Sequence, residues 1–505
     1  MTEISSIGVI GAGTMGRGIA QLFAQGGYKV RMHDVNAKAA AQAQDFIRKM
    51  LHRRAEKGQC TETEADEASA RLMLVPDLAG FAGTDLVIEA VAERLDIKQG
   101  LFAELERIAP EAILATNTSS LMVTAIAAGC EDPARVVGYH FFNPVPLMPL
   151  VEIIRGERTD PALVEALAGL TRKVGHQPVV TADTPGFVVN HAGRALYTEG
   201  LQLLQDRVAD AATIDKLMRE MAGFRMGPFE LFDLTGIDVS GSVVESVHAQ
   251  YYGDPRYRSS PIVRRRIAAG LHGRKTGQGF YGYDGQKIRR PDEAAAAPAP
   301  LPEAIFVDDD SLLPLVEQLG GVPDKGNAPG PRSLVVVAPL GRDVADICAE
   351  KGYPPERTIG LETFFGMDGL SDGGRRCIAV SLGCTPETVA SAVALFSADG
   401  AKVSVVADSI AMVAQRIVCV IVNLGCEIAQ QGIASPEDID LAVRVGLGYP
   451  DGPLGLGDGY GPARVLEVLE GLQRLTGDPR YRPSGWLRRR AQLGLSLRTP
   501  DRAAA

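Results

Sequence analysis

Residues 7–20, Ile-Gly-Val-Ile-Gly-Ala-Gly-Thr-Met-Gly-Arg-Gly-Ile-Ala, constrain the fold more than any other stretch. Ile7, Val9 and Ile10 read as the end of a buried strand. Ile19, Ala20, Leu22, Phe23 and Ala24 read as the apolar face of a helix. Between them, Gly11, Gly13 and Gly16 fall on the G-x-G-x-x-G spacing. The first glycine makes a turn that a side chain would strain, the second lets the backbone approach a pyrophosphate, and the third lets helix and strand pack closely. Phosphates belong at the N-terminus of such a helix, where unpaired N–H groups and the dipole favour anions. Gly11, Gly13, Thr14, Met15 and Gly16 are therefore the expected cofactor turn. A second strand, Lys29 to Asp34, ends in an acid 18 residues past Gly16. An acid there accepts from both ribose hydroxyls and repels a 2′-phosphate, which predicts NAD rather than NADP.

The alternation continues. Strands are expected at 72–75, 85–89, 113–116, 136–140, 150–154 and 178–181, with helices between them at 37–58, 96–108, 121–128 and 161–174. This pattern builds a mostly parallel sheet covered by helices. At Asp183-Thr184-Pro185-Gly186 it stops. Helical runs follow at 186–205, 210–222, 228–235, 237–252 and 260–270, and no strand is expected again before about 304. Residues 293–302 (Glu-Ala-Ala-Ala-Ala-Pro-Ala-Pro-Leu-Pro) read as a linker. Strands at 305–307, 334–337, 377–381 and 403–406, with helices near 343–351 and 386–398, predict a reduced sheet domain without a nucleotide turn.

The last part repeats the first helical domain. Gly253-Asp254-Pro255-Arg256-Tyr257-Arg258 returns as Gly477-Asp478-Pro479-Arg480-Tyr481-Arg482, and Arg264–Arg266 return as Arg488–Arg490. Asp183 and Gly227-Pro228 match Asp408 and Gly452-Pro453. Landmarks in one order mean duplication. The copy differs where chemistry would matter: Asn190 maps to Gln415, Lys275 to Thr499, and Gly279-Phe280-Tyr281 has no counterpart. The expected architecture is α/β: a dinucleotide-binding domain (1–184), an all-helical domain (185–285), a reduced sheet domain (300–406) and a degenerate helical copy (407–500).

A net charge of −10 argues against nucleic acid as the main partner. The most apolar run, 410–429, contains Gln415, Arg416, Asn423 and Glu427, which predicts a buried helix rather than a membrane span. The seven cysteines form neither a C-x-x-C nor a zinc spacing, so no metal is expected and a cytoplasmic chain with reduced thiols is.

Asn117-Thr118-Ser119-Ser120 and His140 each follow a strand, where open parallel sheets bind their ligands, although the first run taken alone reads more readily as a cap for the next helix. An imidazole titrating near neutrality suits proton abstraction from an alcohol. Glu152 stands alone in the apolar run Leu150–Ile154, and a carboxylate there needs a partner, for which His140 is the candidate. The helix after Asn36 carries Arg48, Lys49, Arg53, Arg54 and Lys57, either a solvated face or a contact for a large anionic substrate.

Together with Asn190, Gly227-Pro228-Phe229-Glu230 and Lys275-Thr276-Gly277, these motifs resemble the NAD-dependent L-3-hydroxyacyl-CoA dehydrogenases over about residues 4–283. The duplicated tail is similar to the long bacterial branch, which includes 3-hydroxybutyryl-CoA dehydrogenases and the 3-hydroxyadipyl-CoA dehydrogenases of phenylacetate degradation. The resemblance implies oxidation of a (3S)-3-hydroxyacyl-CoA to the 3-oxoacyl-CoA, with the hydride passing to NAD. It implies that His140 is the base and Glu152 its partner, and that Ser119 and Asn190 hold the substrate oxygen. Asn143 would contact both the histidine region and the nicotinamide side. Asp34, Glu93, Lys98, Asn117, Ser119 and Lys275 would contact NAD, and Arg53, Arg54 or Lys57 would meet coenzyme A. Two other functions fit the same motifs: a dehydrogenase of a free hydroxy or sugar acid, and an inactive NAD-binding scaffold. No nucleic-acid or membrane partner is expected. The second helical copy is expected to form an internal pseudo-dimer with the first, and the chain is a candidate homo-oligomer.

Overall fold

The computed structural model describes residues 4–293, 298–366 and 374–501. Its contacts divide it into two compact units, Met1–His191 with Gln431–Leu447, and Ala192–Gln430 with Gly448–Ala505.

The first unit is built on an eight-stranded sheet: β1 (Ser6–Ile10), β2 (Lys29–His33), β3 (Leu72–Leu74), β4 (Leu86–Glu89), β5 (Ile113–Thr116), β6 (Val136–Phe141), β7 (Leu150–Arg155) and β8 (Gln177–Ala182). The spatial order is β3-β2-β1-β4-β5-β6-β7-β8, and every pair is parallel except β6 with β7. Side chains alternate across it. Leu86 and Ile88 join the cluster under α1 (Thr14–Gln25), α2 (Ala37–Glu56), α3 (Glu62–Ala70) and α6 (Pro161–Lys173), whereas Val87 joins Phe102, Leu105 and Ile126 of α4 (Leu95–Ile108) and α5 (Val123–Ala127) on the other face. The expected helix at 121–128 is shorter, because its first free amides, Val123 and Thr124, are capped by the distant Asp183 carboxylate at 3.0 and 2.7 Å. β8 is an edge strand, and its outward amides are occupied: Ala182 N–H donates to Ile433 O and Val180 N–H to Asp438 Oδ2.

In the second unit the first helical segment ends in a feature not expected from sequence, the hairpin β9 (Gly282–Asp284) and β10 (Lys287–Arg289). Its signal is the Asp284-Gly285 pair, with Gly285 at a φ of 60°. Of the expected linker, residues 294–297 lie outside the described residues, and Glu293 is held by a two-pronged pair with Arg375 at 2.7 and 2.9 Å.

The second sheet runs β11-β12-β13-β14-β15, with β11 (Ile305–Val307), β12 (Leu334–Val337), β13 (Thr358–Leu361), β14 (Arg375–Val380) and β15 (Lys402–Ala407). β13 is a further strand beyond those expected; at four residues including Gly360, its apolar signal is weak. This order repeats β4 to β8, including the one antiparallel pair, here β13 with β14. Asp408 receives Val344 and Ala345 N–H as Asp183 receives those of Val123 and Thr124. A Cβ on Gly138 would stand 2.8 Å from Val123, and one on Gly360 would stand 2.9 Å from Val344. The duplication thus includes half a sheet domain, and among the described residues nothing in it corresponds to β1–β3.

The two helical copies meet within the second unit through the same patch used twice. Arg256 faces Glu427 and Arg480 faces Glu199, each at 3.5 Å, and Arg258 pairs with Asp478. Glu199 is fully buried and also takes Arg416 Nε and Tyr481 O–H. The elements in this contact are equivalent in the two copies, as in an isologous contact, but the acids are displaced by about one helical turn, since Glu199 maps to Leu424 and Glu427 to Gln202. The apolar helix Val413–Gln430 lies at its centre and is buried along nearly its whole length, which makes it a core helix.

Candidate active site

The glycine turn has the form its spacing requires. Gly11 has a φ of 100°, and a Cβ on it would stand 2.5 Å from Ala90 O. A Cβ on Gly16 would lie 1.8 Å from Gly11 O, whereas Gly13 faces open space, with nothing within 4 Å of its Cβ position. Gly13 is the N-cap of α1 and offers no side chain to the first-turn amides, and that turn carries no acid. The opening suits a pyrophosphate, and a Cβ at either neighbouring glycine would close the turn on itself. Asp34 lies just beyond β2, half-buried. Its Oδ2 accepts Ala12 N–H and its Oδ1 accepts Asn36 N–H, both at 2.8 Å. One donor per oxygen fixes the carboxylate and leaves a lone pair on each for a ribose diol. These residues fit NAD.

His140 on β6 and Glu152 on β7 are direct cross-strand neighbours of the antiparallel pair. The imidazole Nδ1–H donates to Glu152 Oε2 at 2.8 Å, which leaves Nε2 as the basic nitrogen. Glu152, fully buried, receives Val188 and Val189 N–H on Oε1 at 2.9 and 2.8 Å. These two amides open the short helix Val189–Ala192, which carries Asn190, so Glu152 ties the base to the segment after the Asp183–Gly186 turn. Sequence alone did not reveal this role of the backbone. Phe142 and Phe187 flank the ring, at centroid distances of 4.5 and 5.8 Å.

The Asn117–Ser120 turn is not a helix cap, since α5 starts at Val123. Asn117 Oδ1 accepts Phe141 N–H, stitching β5 to β6 beside His140. Glu93 Oε1 accepts Thr118 O–H at 2.5 Å, Ser119 N–H at 3.0 Å and Ser120 N–H at 3.1 Å. Burial opposes ionisation of Glu93, but these bonds and the Lys98 charge hold its carboxyl below the usual range. Lys98 is 1% exposed and lies 2.6 Å from Glu89 and 3.3 Å from Glu93. Asn143 is exposed after β6. Lys275 belongs to the other unit, where its ammonium is 2.7 Å from Asp238 Oδ2.

Arg53, Arg54 and Lys57, at the end of α2, line a cavity of about 830 Å³. Pro144, Pro146 and Leu147, from the loop after His140, line it too, as do Lys173 and His176. The last two were not expected from sequence; Lys173 ends α6 and His176 follows it, and nothing in their local pattern marks them. Among the described residues there is no cluster of metal-ligating side chains.

Residues 6–184 match the model of the 3-hydroxyacyl-CoA dehydrogenase NAD-binding domain, and residues 186–283 and again 412–503 match that of the 3-hydroxyacyl-CoA dehydrogenase C-terminal domain. The chain belongs to the 3-hydroxyacyl-CoA dehydrogenases, NAD-dependent oxidoreductases acting on the CH–OH of an acyl-CoA. It is 35% identical to a 3-hydroxyadipyl-CoA dehydrogenase of Escherichia coli, over 98% of both chains. It is 42% identical to a probable 3-hydroxybutyryl-CoA dehydrogenase of Deinococcus radiodurans, over 55% of this chain and 99% of that one. The crystal structure of an Escherichia coli 3-hydroxybutyryl-CoA dehydrogenase superposes with a TM-score of 0.85 at 35% identity, covering 97% of this chain and 99% of that one.

Proposed function

We propose that the substrate is a short (3S)-3-hydroxyacyl-CoA, with 3-hydroxyadipyl-CoA preferred, and that His140 is the base of its oxidation. The His140–Glu152 pair carries this reading. Nε2 takes the proton of the 3-hydroxyl, and Glu152, locked by two backbone amides, keeps Nδ1 protonated and stabilises the imidazolium. NAD held at the Gly11–Gly16 turn would supply the acceptor for the hydride of C3. Ser119 and Asn190 hold the substrate oxygen as the carbonyl forms. The turn Gly11–Gly16 with Thr14 and Met15 would hold the phosphates and Asp34 the ribose, while Glu93, Lys98, Asn117, Ser119 and Asn143 would contact the rest of NAD. The cavity lined by Arg53, Arg54 and Lys57 takes the phosphates of coenzyme A, since three cations at one helix end suit a polyanion.

The adipyl preference rests on the relative of that name, which matches the chain end to end. A 3-hydroxybutyryl-CoA preference is the second reading, favoured by the name of the structurally similar enzyme. We further propose a cytoplasmic enzyme, in keeping with seven free cysteines. It would have one active site per chain and no nucleic-acid or membrane partner. The test is NADH formation with a panel of acyl-CoAs. A kcat/KM for 3-hydroxyadipyl-CoA above that for 3-hydroxybutyryl-CoA supports the first reading. The reverse order supports the second, and turnover of free hydroxy acids alone overturns both.

A further inference from the structure

The phosphate turn follows β1 and His140 stands on β6; β4 and β5 lie between them in the sheet. A dinucleotide reaching from one to the other crosses the carboxyl ends of β4 and β5. Glu89 is the last residue of β4, in register with Ile10 on β1 and Thr116 on β5, and it is fully buried. Its Oε1 accepts Val91 N–H and the Lys98 ammonium, each at 2.6 Å, and its Oε2 accepts Thr116 O–H at 2.8 Å. Lys98 reaches on to Glu93, which holds the amides of Ser119 and Ser120. Two carboxylates thus share one ammonium along this stretch, and a relay runs from the sheet to the turn beside His140. A buried ion pair is a poor source of stability, so packing alone gives little reason for one here.

We propose that Glu89 is a positioning residue for the nicotinamide half of the cofactor: it fixes Lys98 and, through Glu93, the Asn117–Ser120 turn, and its charge biases the site toward the oxidised, cationic ring over the neutral reduced one. This rests on the placement of NAD given above. Removing one negative charge from a partly buried site should discriminate between ligands that differ by one positive charge, while leaving their common adenosine end alone.

The test is equilibrium binding of NAD and of NADH to the full-length enzyme without substrate, by calorimetry and NADH fluorescence. Glu89→Gln should raise the ratio of Kd for NAD to Kd for NADH roughly fivefold or more. Lys98→Met should lower it, and the double variant should return it to within about twofold of the original. Glu89→Gln strands a buried ammonium, so the step from Lys98→Met to the double variant isolates the Glu89 charge even where the single variant fails to fold. A ratio unchanged across that step overturns the proposal, because a purely structural carboxylate would shift both affinities together. Asp34→Ala should weaken both forms alike; unchanged affinity for both in that variant would instead overturn the placement of NAD.

Discussion

The chain makes the same antiparallel strand pair twice, β6 with β7 and β13 with β14, with different chemistry. Taking Gly138 with Gly360 and Asp183 with Asp408 as fixed points, His140 corresponds to Glu362, Glu152 to Cys377 and Asn190 to Gln415. In the first copy a base and its carboxylate face each other across the strand pair, and Nε2 is left to act. In the second, Glu362 Oε1 is enclosed by Phe364 N–H and the Gln415 amide, whose own oxygen takes Gly341 N–H. The longer side chain fills the place with protein hydrogen bonds. The second sheet also has no counterpart of β1–β3 among the described residues, so it has no phosphate turn. The same frame serves chemistry when the strand-end groups stay available, and serves packing when they are turned onto neighbouring protein groups.

The largest effect should come from exchanging the two acid–base positions for inert isosteres. His140→Gln should retain NAD binding and lose roughly two to four orders of magnitude in kcat, whereas Glu362→Gln should stay within about twofold of the original kcat. Steady-state kinetics with 3-hydroxybutyryl-CoA or 3-hydroxyadipyl-CoA decide it. A comparable loss in both variants would erase the functional difference between the copies.

Much of this contrast is legible in the sequence, and the reasons are specific. The glycine turn and Asp34 are contiguous in sequence with the elements that present them. Glu152 stands out because a carboxylate in an apolar strand needs a partner, and His140 supplies it. Glu89 gives the same signal in Leu86–Glu89, but its partner Lys98 lies on a helix, where a lysine has the pattern of an ordinary surface residue. The Val188 and Val189 amides leave no trace in side-chain identity. The half-sheet duplication was hidden as well: β13 is too short, and the second sheet keeps its order and direction while its residues have changed. The loss of Gly279-Phe280-Tyr281 from the second copy is partly made good in space, where Asp458 holds Ser496 and Leu497 as Asp233 holds Phe280 and Tyr281.

A second way to break the comparison removes one copy. A chain ending after Tyr283 would lack Arg416, Arg480 and Tyr481, leaving Glu199 without the cations that neutralise it. It would also lack the Ile433 carbonyl that covers the β8 edge. An uncompensated buried charge costs about 3–5 kcal/mol. The truncated chain should therefore self-associate or aggregate in size-exclusion chromatography; a stable, fully active monomer would show that the second copy is dispensable. A smaller, cofactor-specific effect should follow from Asp34→Ala, which removes both the ribose acceptor and the charge that repels a 2′-phosphate. The ratio of kcat/KM for NAD to that for NADP should fall toward unity, and an original enzyme that already prefers NADP would show that Asp34 does not discriminate.

The smallest effect sharpens the comparison from the side of the inert copy. Burial pushes the Glu362 carboxyl from its ordinary 4.5 up to about 7, against the opposing hydrogen bonds from Phe364 and Gln415. The folded protein therefore keeps the Glu362 proton over a range of pH where the unfolded chain has released it. Stability rises with pH where the unfolded state binds more protons, so here the sign is reversed. The contribution is fully present below about 4.5, declines as pH rises toward 7, and is absent above it. Glu362→Gln places a neutral group of the same shape beside Gln415 and should remove this decline. Chemical denaturation of both proteins at pH 5.5 and pH 8 isolates the term: the variant should gain stability relative to the original at pH 8 by more than at pH 5.5, where only part of the decline has occurred. Parallel losses at both pH values would mean that Glu362 is held as an ionised partner of its neighbours, and the second copy would then retain a charged strand-end group like the first.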